Sequence, residues 1–356
     1  RPEQLVASLP QVTRTLTDPA DCGPVVLAMP QDVQAEDWDF PDALFEPVLH
    51  RVPRPRADAR SLARAAEALR SSRRPLIIAG GGVRYSGATA ELLALAEEHG
   101  IPVVETTAGR TLLPDPHPLN AGPIGITGST AANALAAEAD VVLAVGSRLQ
   151  DFTTASWTVF SPDVRLVHVN AARFDAVKHR ALAVVGDARE TLRELSPLLS
   201  GWRADPGWTQ RAALERARWD RYIDSLRSSN EEQPTYAQVV GVVNEQSNAD
   251  DYVMAASGGF PGELVGGWRS RGTVANGPTM DVEYGFSCMG YELSGAWGAA
   301  MARARTHPAG VVTTLLGDGS YLMLNSEVFS AAFAGHPFVA VVCDNGGYAV
   351  IARLQE

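Results

Sequence analysis

Cysteine is scarce: Cys22, Cys288 and Cys343 are the three in 356 residues. An odd number at wide, unpatterned spacing excludes a disulfide framework and a cysteine-based zinc site. Long apolar runs are missing as well. None approaches the ~18 residues that a membrane span needs, so no membrane partner is expected. Basic charge is in deficit, with 30 Lys and Arg against 41 Asp and Glu and a net charge of −11. That balance argues against nucleic acid or an anionic membrane as the main partner. The seven histidines, His50, His99, His117, His168, His179, His307 and His336, show no metal-ligand spacing and read as surface or loop residues. The first residues do not have the pattern of a signal peptide, and the expected compartment is the reducing cytoplasm. Internal repeats and low-complexity tracts are absent too.

What is present is an ordinary globular balance, 46% apolar and 20% charged. The length suits two to three domains. The chain opens at Arg1 rather than Met and stops at Glu356, soon after a strand-like run that leads into Asn345. A parallel sheet normally continues with a helix and further strands, so a piece of a longer protein is the expectation.

Residues 1–30 read as helix, turn and strand, the strand being the apolar run Gly23 to Pro30. Residues 30–56, punctuated by Pro41, Pro47, Pro53 and Pro55, read as a surface linker. From 57 to 202 helix and strand patterns alternate: helices over 57–71, 88–99, 129–139 and 188–199, strands over 75–79, 101–105, 141–145 and 164–169. Alternation of this kind implies βαβ units and a parallel sheet. Residues 203–232 are polar and rich in Trp, Arg and Glu, and read as a helical bridge. A second alternating unit follows, with helices at 236–246, 292–305 and 321–334 and strands at 252–256, 310–316 and 338–343. The fold class is α/β, with two doubly wound parallel-sheet domains.

The strongest chemical signal is Gly317-Asp318-Gly319-Ser320, followed after 24 residues by Asn345. One strand delivers the chain to Gly317; a helical crossover and a second strand return it to Asp344-Asn345-Gly346-Gly347. Such a crossover makes the strands parallel neighbours, so both loops lie at the carboxyl edge of the sheet, where ligands of open α/β sheets bind. Mg²⁺ prefers octahedral oxygen ligands, usually one or two carboxylates with phosphate and water. Asp318 offers a carboxylate, Asn345 an amide oxygen, and Gly347 a carbonyl that a glycine lets the chain turn inward. Gly317 and Gly319 allow close backbone approach to a diphosphate, and the helix expected after Ser320 points its N–H groups at the anion. Ser257-Gly258-Gly259, after the strand at 252–256, is a further candidate contact.

Gly-Asp-Gly, about 25 residues and then Asn resembles the signature of the thiamine diphosphate (ThDP) family that includes acetohydroxyacid synthase and pyruvate decarboxylase. The family's metal ligands map onto Asp318, Asn345 and the carbonyl of Gly347. One departure is Asp344, where an Asn-Asn pair is usual; the retained second position is the ligand. The segment Glu283-Tyr284-Gly285-Phe286-Ser287-Cys288-Met289-Gly290-Tyr291 resembles the loop that holds the aminopyrimidine. The resemblance implies that the Ser287 carbonyl takes the 4′-amino proton and that Met289 wedges between the two cofactor rings. The wedge holds the cofactor bent, so that its own imino nitrogen serves as the base.

Residues 283–292 together with 317–327 are similar to the branch of the family that opens a cyclic 1,2-diketone with water, giving 5-deoxy-glucuronic acid in inositol catabolism. A small cyclic diketone is the implied substrate; an acetohydroxyacid synthase-like carboligase and a non-catalytic fragment are the alternatives. The resemblance also implies the domains: 1–56 as the end of a pyrimidine-binding domain plus linker, 57–202 as a central Rossmann-like domain, and 203–356 as the diphosphate-binding domain, cut short. It implies a homodimer or homotetramer with sites shared between subunits. The family's catalytic glutamate lies on the pyrimidine-binding domain and matches no residue here, so no catalytic residue is assigned. Gly80-Gly81-Gly82 follows a strand without the Gly-x-Gly-x-x-Gly spacing, reads as a tight turn, and FAD is not expected.

Overall fold

The computed structural model describes residues 1–115, 117–228, 232–283 and 285–356. It holds two sheets, both wholly parallel. The first contains β1 (Pro75–Ala79), β2 (Val103–Glu105), β3 (Asn120–Pro123), β4 (Val141–Val145), β5 (Arg165–Asn170) and β6 (Leu182–Val185), in the order β3-β2-β1-β4-β5-β6. The central strands β1 and β4 run in step from Pro75 opposite Val141 to Ala79 opposite Val145. Every residue of both is buried, as expected when helices cover each face of a parallel sheet. The period of two sorts their side chains. Ile77, Ala79, Leu143 and Val145 face one core with the helices Ala59–Arg70, Thr89–His99 and Ala188–Leu198. Leu76, Ile78, Val142 and Ala144 face the other with the helix Thr130–Glu138.

Three expected features differ. Residues 23–30 form no strand, because the run finds no sheet to pair with among the described residues. Two edge strands of the first sheet, β3 and β6, carry little apolar periodicity and were not expected. Gly80-Gly81-Gly82 does not merely turn: Gly80 caps a short helix, Gly81–Ser86, ahead of the helix Thr89–His99.

The helical bridge is one long helix, Pro206–Arg227, capped by Asp205; residues 229–231, the end of the polar stretch, lie outside the described residues. Its first half rests on the first sheet, where Trp208 Nε1 donates to the Pro75 carbonyl at 2.8 Å. Its second half reaches the second unit, where Trp219 Nε1 donates to the Gly266 carbonyl at 3.0 Å.

The second sheet contains β7 (Tyr252–Ala255), β8 (Met280–Val282), β9 (Val312–Gly317) and β10 (Val339–Cys343), in the order β10-β9-β7-β8. The β9/β10 register ends with Cys343 opposite Gly317, so the loops after both strands start at the same level. The helix Phe260–Gly267, after β7, is anchored by the long helix Pro206–Arg227 and by Arg110 of the first unit. A helix leaves its last four carbonyls without intrahelical partners. Here Val265 O accepts from Arg110 Nε at 2.9 Å, Gly266 O from Trp219, Gly267 O from Arg227 Nη2 at 2.6 Å, and Trp268 O, just beyond, from Arg110 Nη2 at 2.7 Å. Arg110 belongs to the first unit, and it is buried against Glu105 at 2.5 Å.

Two histidines are not surface or loop residues, contrary to the sequence reading: His99 is buried at the end of the helix Thr89–His99, and His168 on β5 is completely buried. The His168 Nε2 donates to the Ser147 carbonyl at 2.8 Å, and its Nδ1 has no hydrogen-bond partner among the described residues. Burial lowers its pKa below the usual 6.5, opposed by the Ser147 bond and by Asp175, with Lys178 adding to the lowering. The unfolded chain therefore takes up a proton near pH 6.5 that the folded chain refuses, so stability falls as pH drops below that value. We expect the melting temperature of the wild type to decline between about pH 7 and pH 5 more steeply than that of His168→Gln. Parallel curves for the two proteins would refute this role for His168. No helix among the described residues is long and apolar enough to cross a membrane.

Candidate functional site at the carboxyl edge of the second sheet

Strand β9 ends at Gly317, and the helix Asp318–Leu324 begins at once rather than after Ser320. A break at Asn325 separates it from the helix Ser326–Phe333, so the expected single helix is two. Asp318 thus stands in the first helical turn, where a carboxylate is favoured by the helix dipole. The turn after β10 is built by Asp344, whose Oδ1 accepts from the Gly346 N–H at 3.0 Å. Gly346 and Gly347 have φ of +75° and +140°, which side chains rarely tolerate. The turn curls the Gly347 carbonyl back over Asn345.

Two oxygens and one end of the Asn345 amide meet there. With the Asn345 amide nitrogen turned outward, it donates to the Tyr236 hydroxyl at 2.8 Å. The inward end of the amide then lies 2.6 Å from the Gly347 carbonyl oxygen and 3.2 Å from Asp318 Oδ1. In this orientation a carboxylate, an amide oxygen and a carbonyl converge with no proton between them, an arrangement that a cation relieves. Turning the amide over places its N–H₂ inward to donate to both oxygens, with Tyr236 then donating to the amide oxygen. The spacings bracket the ~3.0 Å edge of an octahedron with metal–oxygen bonds of about 2.1 Å. The donor set therefore fits a small hard cation such as Mg²⁺. No group of three or more His, Cys, Asp or Glu with metal-binding geometry occurs among the described residues; this site has one carboxylate and relies on neutral oxygens.

The glycines divide by role. A Cβ on Gly319 would come within 2.6 Å of the Tyr348 ring and 3.4 Å of the Met289 methyl. Gly317 is extended and a Cβ there meets nothing closer than 3.9 Å, so the chain's own packing does not require glycine at that position. Gly258 has φ of +79° and faces open space.

Beneath the site lies a network that the sequence reading missed. Glu292, in the first turn of the helix Tyr291–Thr306, is 0% exposed. Its Oε1 accepts from the Ser257 N–H at 3.0 Å and hydroxyl at 2.8 Å, and its Oε2 accepts from the Gly290 N–H at 2.9 Å. The Ser257 hydroxyl in turn meets the Ser320 hydroxyl at 2.8 Å. One buried carboxylate thus ties together the loop after β7, the turn before the helix, and the Gly-Asp-Gly-Ser segment. The hydroxyls of Ser257 and Ser320 are committed to this network, which leaves Ser320 its backbone N–H as the group to offer a ligand. An acid in the first turn of a helix of small apolar residues was the available signal.

In the loop before that helix, Tyr284 lies outside the described residues. Glu283 accepts from the N–H groups of Phe286 and Cys288, each at 2.9 Å. This clasp holds Ser287 at φ of +54°, and the Ser287 hydroxyl donates to the Ala256 carbonyl at 3.1 Å. Met289 is half-buried and reaches over Gly319. The predicted pyrimidine loop and the predicted diphosphate loop are therefore in contact. On the first sheet, Gly80 and Gly82 press on the Gly146 backbone, where Cβ atoms would sit 2.4 and 2.6 Å away, and Gly82 N–H donates to Gly146 O at 2.8 Å. Close packing at the β1/β4 junction accounts for these glycines.

The chain matches two descriptions of known families: the central domain of thiamine pyrophosphate (another name for ThDP) enzymes over residues 62–195, and their C-terminal TPP binding domain over residues 266–356. The chain belongs to the thiamine pyrophosphate enzymes. The second match contains Ser287, Met289, Asp318, Asn345 and Gly347. The chain is also similar, over its whole length, to proteins named 3D-(3,5/4)-trihydroxycyclohexane-1,2-dione hydrolase. It is 38% identical to that of Bacillus thuringiensis (strain Al Hakam) and 37% identical to that of Geobacillus thermodenitrificans (strain NG80-2). It spans 58% of the length of each of these relatives. Both parallel sheets of the chain fall in the regions expected from its helix and strand alternation.

Proposed function

We propose that the protein to which this chain belongs uses ThDP and Mg²⁺ to hydrolyse the C–C bond between the two carbonyl carbons of a trihydroxycyclohexane-1,2-dione. The observation that carries this reading is the convergence of Asp318, Asn345 and Gly347 beside Met289, in a chain whose whole-length relatives bear that hydrolase name. ThDP supplies a carbon nucleophile and an electron sink for C–C cleavage. The Asp318 carboxylate, the Asn345 amide oxygen and the Gly347 carbonyl hold Mg²⁺. Gly317, Gly319 and the Ser320 N–H line the diphosphate end, with Ser257 and Gly258 at the same sheet edge. The Ser287 carbonyl and the Met289 side chain serve the pyrimidine end.

Water balances the reaction without an oxidant. Its hydroxyl joins one carbonyl carbon, which leaves as a carboxylic acid when the ring C–C bond breaks. A proton goes to the other carbonyl carbon, which becomes an aldehyde in the same open chain, 5-deoxy-glucuronic acid. No residue of this chain is assigned to activating the water. The glutamate that acts on the pyrimidine is assigned to a domain other than the two units divided near residues 57 and 203. The working protein is a cytoplasmic homodimer or homotetramer with shared sites.

The test is product analysis on the intact protein with ThDP and Mg²⁺, given the cyclic dione in one arm and pyruvate in another. The expected result is ring-opened acid from the dione and no condensation of pyruvate. Condensation of pyruvate with the dione untouched would establish the carboligase instead.

A further inference from the structure

Asn345 is the one proposed metal ligand whose donor atom is set by a rotation rather than by charge or by the backbone. Its amide presents oxygen or nitrogen inward, and its outer end is held in either case, by a partner that accepts from the nitrogen or donates to the oxygen. That outer partner is the Tyr236 hydroxyl, 2.8 Å away and 109 residues earlier in the chain. Tyr236 is itself tightly placed. It opens the helix Tyr236–Gln246, whose start is locked by a capping box: Thr235 Oγ1 accepts from the Gln238 N–H, and Gln238 Oε1 accepts from the Thr235 N–H at 2.8 Å. Its ring lies 4.6 Å from that of Phe260. A Cβ on Gly259 would come within 2.3 Å of the ring, so glycine there lets the ring pass under the loop after β7.

We propose that Tyr236 is a positioning residue for the metal: its hydroxyl holds the plane of the Asn345 amide beside Asp318 and the Gly347 carbonyl, accepting from the amide nitrogen when a cation draws the amide oxygen inward. This rests on the metal site proposed above and deepens it. Asn345 is exposed, and its side chain rotates about two bonds. Holding its plane before the ion arrives lowers the cost of ordering it on binding. Partners that orient a metal ligand are worth about 10- to 100-fold in metal affinity.

The test is titration of Mg²⁺ into the intact protein in the presence of ThDP, followed calorimetrically, with the melting temperature of the metal-free protein measured alongside. Tyr236→Phe keeps the ring and removes the hydroxyl. It is expected to raise the Mg²⁺ half-saturation about 10-fold or more while leaving metal-free melting unchanged. Gly259→Ala, which must displace the ring, is expected to shift the half-saturation in the same direction. An unchanged half-saturation in Tyr236→Phe, with binding lost in Asp318→Asn, overturns the role of Tyr236 and leaves the metal site standing. Unchanged binding in Asp318→Asn overturns the metal site and this inference with it. A shift in Tyr236→Phe matched by lower metal-free melting also counts against the proposal, because ring packing would then be its cause.

Discussion

Replacing Asp318 by alanine is expected to abolish Mg²⁺-dependent binding of ThDP while leaving the fold in place. Asp318 is the only charged member of the oxygen cluster. Asn345 and Gly347 contribute neutral dipoles, and a dication held by those two alone would keep most of its water. The loss is expected to exceed the about 100-fold typical of removing a mere supporting partner. The fold is spared because the Asp318 side chain takes part in no core packing. Outside the amide of Asn345, its hydrogen bond among the described residues is from the Asn345 N–H at 3.5 Å. What the helix loses is a favourable first-turn carboxylate, worth about 0.3–1 kcal/mol. Calorimetric titration with ThDP and Mg²⁺, with thermal melting of the metal-free variant, checks both halves. Wild-type affinity in Asp318→Ala would refute the metal assignment.

Replacing Arg110 by methionine is expected to destabilise the protein by about 3–5 kcal/mol. Natural domains have only about 5–15 kcal/mol in total. The side chain is 2% exposed and donates to Glu105, Val265 O and Trp268 O. Its removal strands a fully buried carboxylate and strips donors from the end of the helix Phe260–Gly267. Among the described residues Glu105 keeps only the Leu113 N–H, at 2.9 Å. Burial already pushes the Glu105 carboxyl up from its usual pKa, and Arg110 pulls it back. Without Arg110 the rise is larger, so in the variant Glu105 favours the protonated form. A group whose folded pKa is raised supports the fold below its unfolded pKa and loses that support as pH rises through the folded value. The deficit of Arg110→Met relative to wild type is therefore expected to be smaller at about pH 5 than at about pH 8. Denaturant unfolding at the two pH values measures it, and Glu105→Gln in the same background should recover much of the loss. A deficit under about 1 kcal/mol at both pH values would show the pair to be dispensable.

The helix and strand pattern was legible where burial makes the apolar period strong. The strands β1, β4, β9 and β10 and the helix Tyr236–Gln246 fall at their expected places within a residue or two. The strands β3, β6 and β8 were not expected. Asn120–Pro123 reads Asn-Ala-Gly-Pro and pairs because β2 offers it an edge, not because its residues favour a strand. The opposite error occurred at residues 23–30, where an apolar run looks like a strand but has no neighbour to pair with. Pairing is a property of two segments, and a single-segment pattern carries no information about the other.

For the site, the division is similar. The sequence by itself determined which oxygens are available: Asp318, Asn345 and a carbonyl at Gly347 follow from residue type, spacing and the strand–helix–strand order that returns the chain to one edge. The family resemblance of residues 283–291 implied that the loop carrying Ser287 and Met289 belongs with them, and Met289 lies over Gly319. Only the tertiary structure decided what orients those groups. Tyr236 reaches Asn345 across 109 residues, Glu292 joins Ser257, Gly290 and Ser320, and Arg110 clamps a helix in the other unit. The reason is physical. Donor chemistry and local turns depend on residues near in sequence, whereas the direction of a side-chain amide or the pairing of a buried carboxylate depends on which distant elements pack against it.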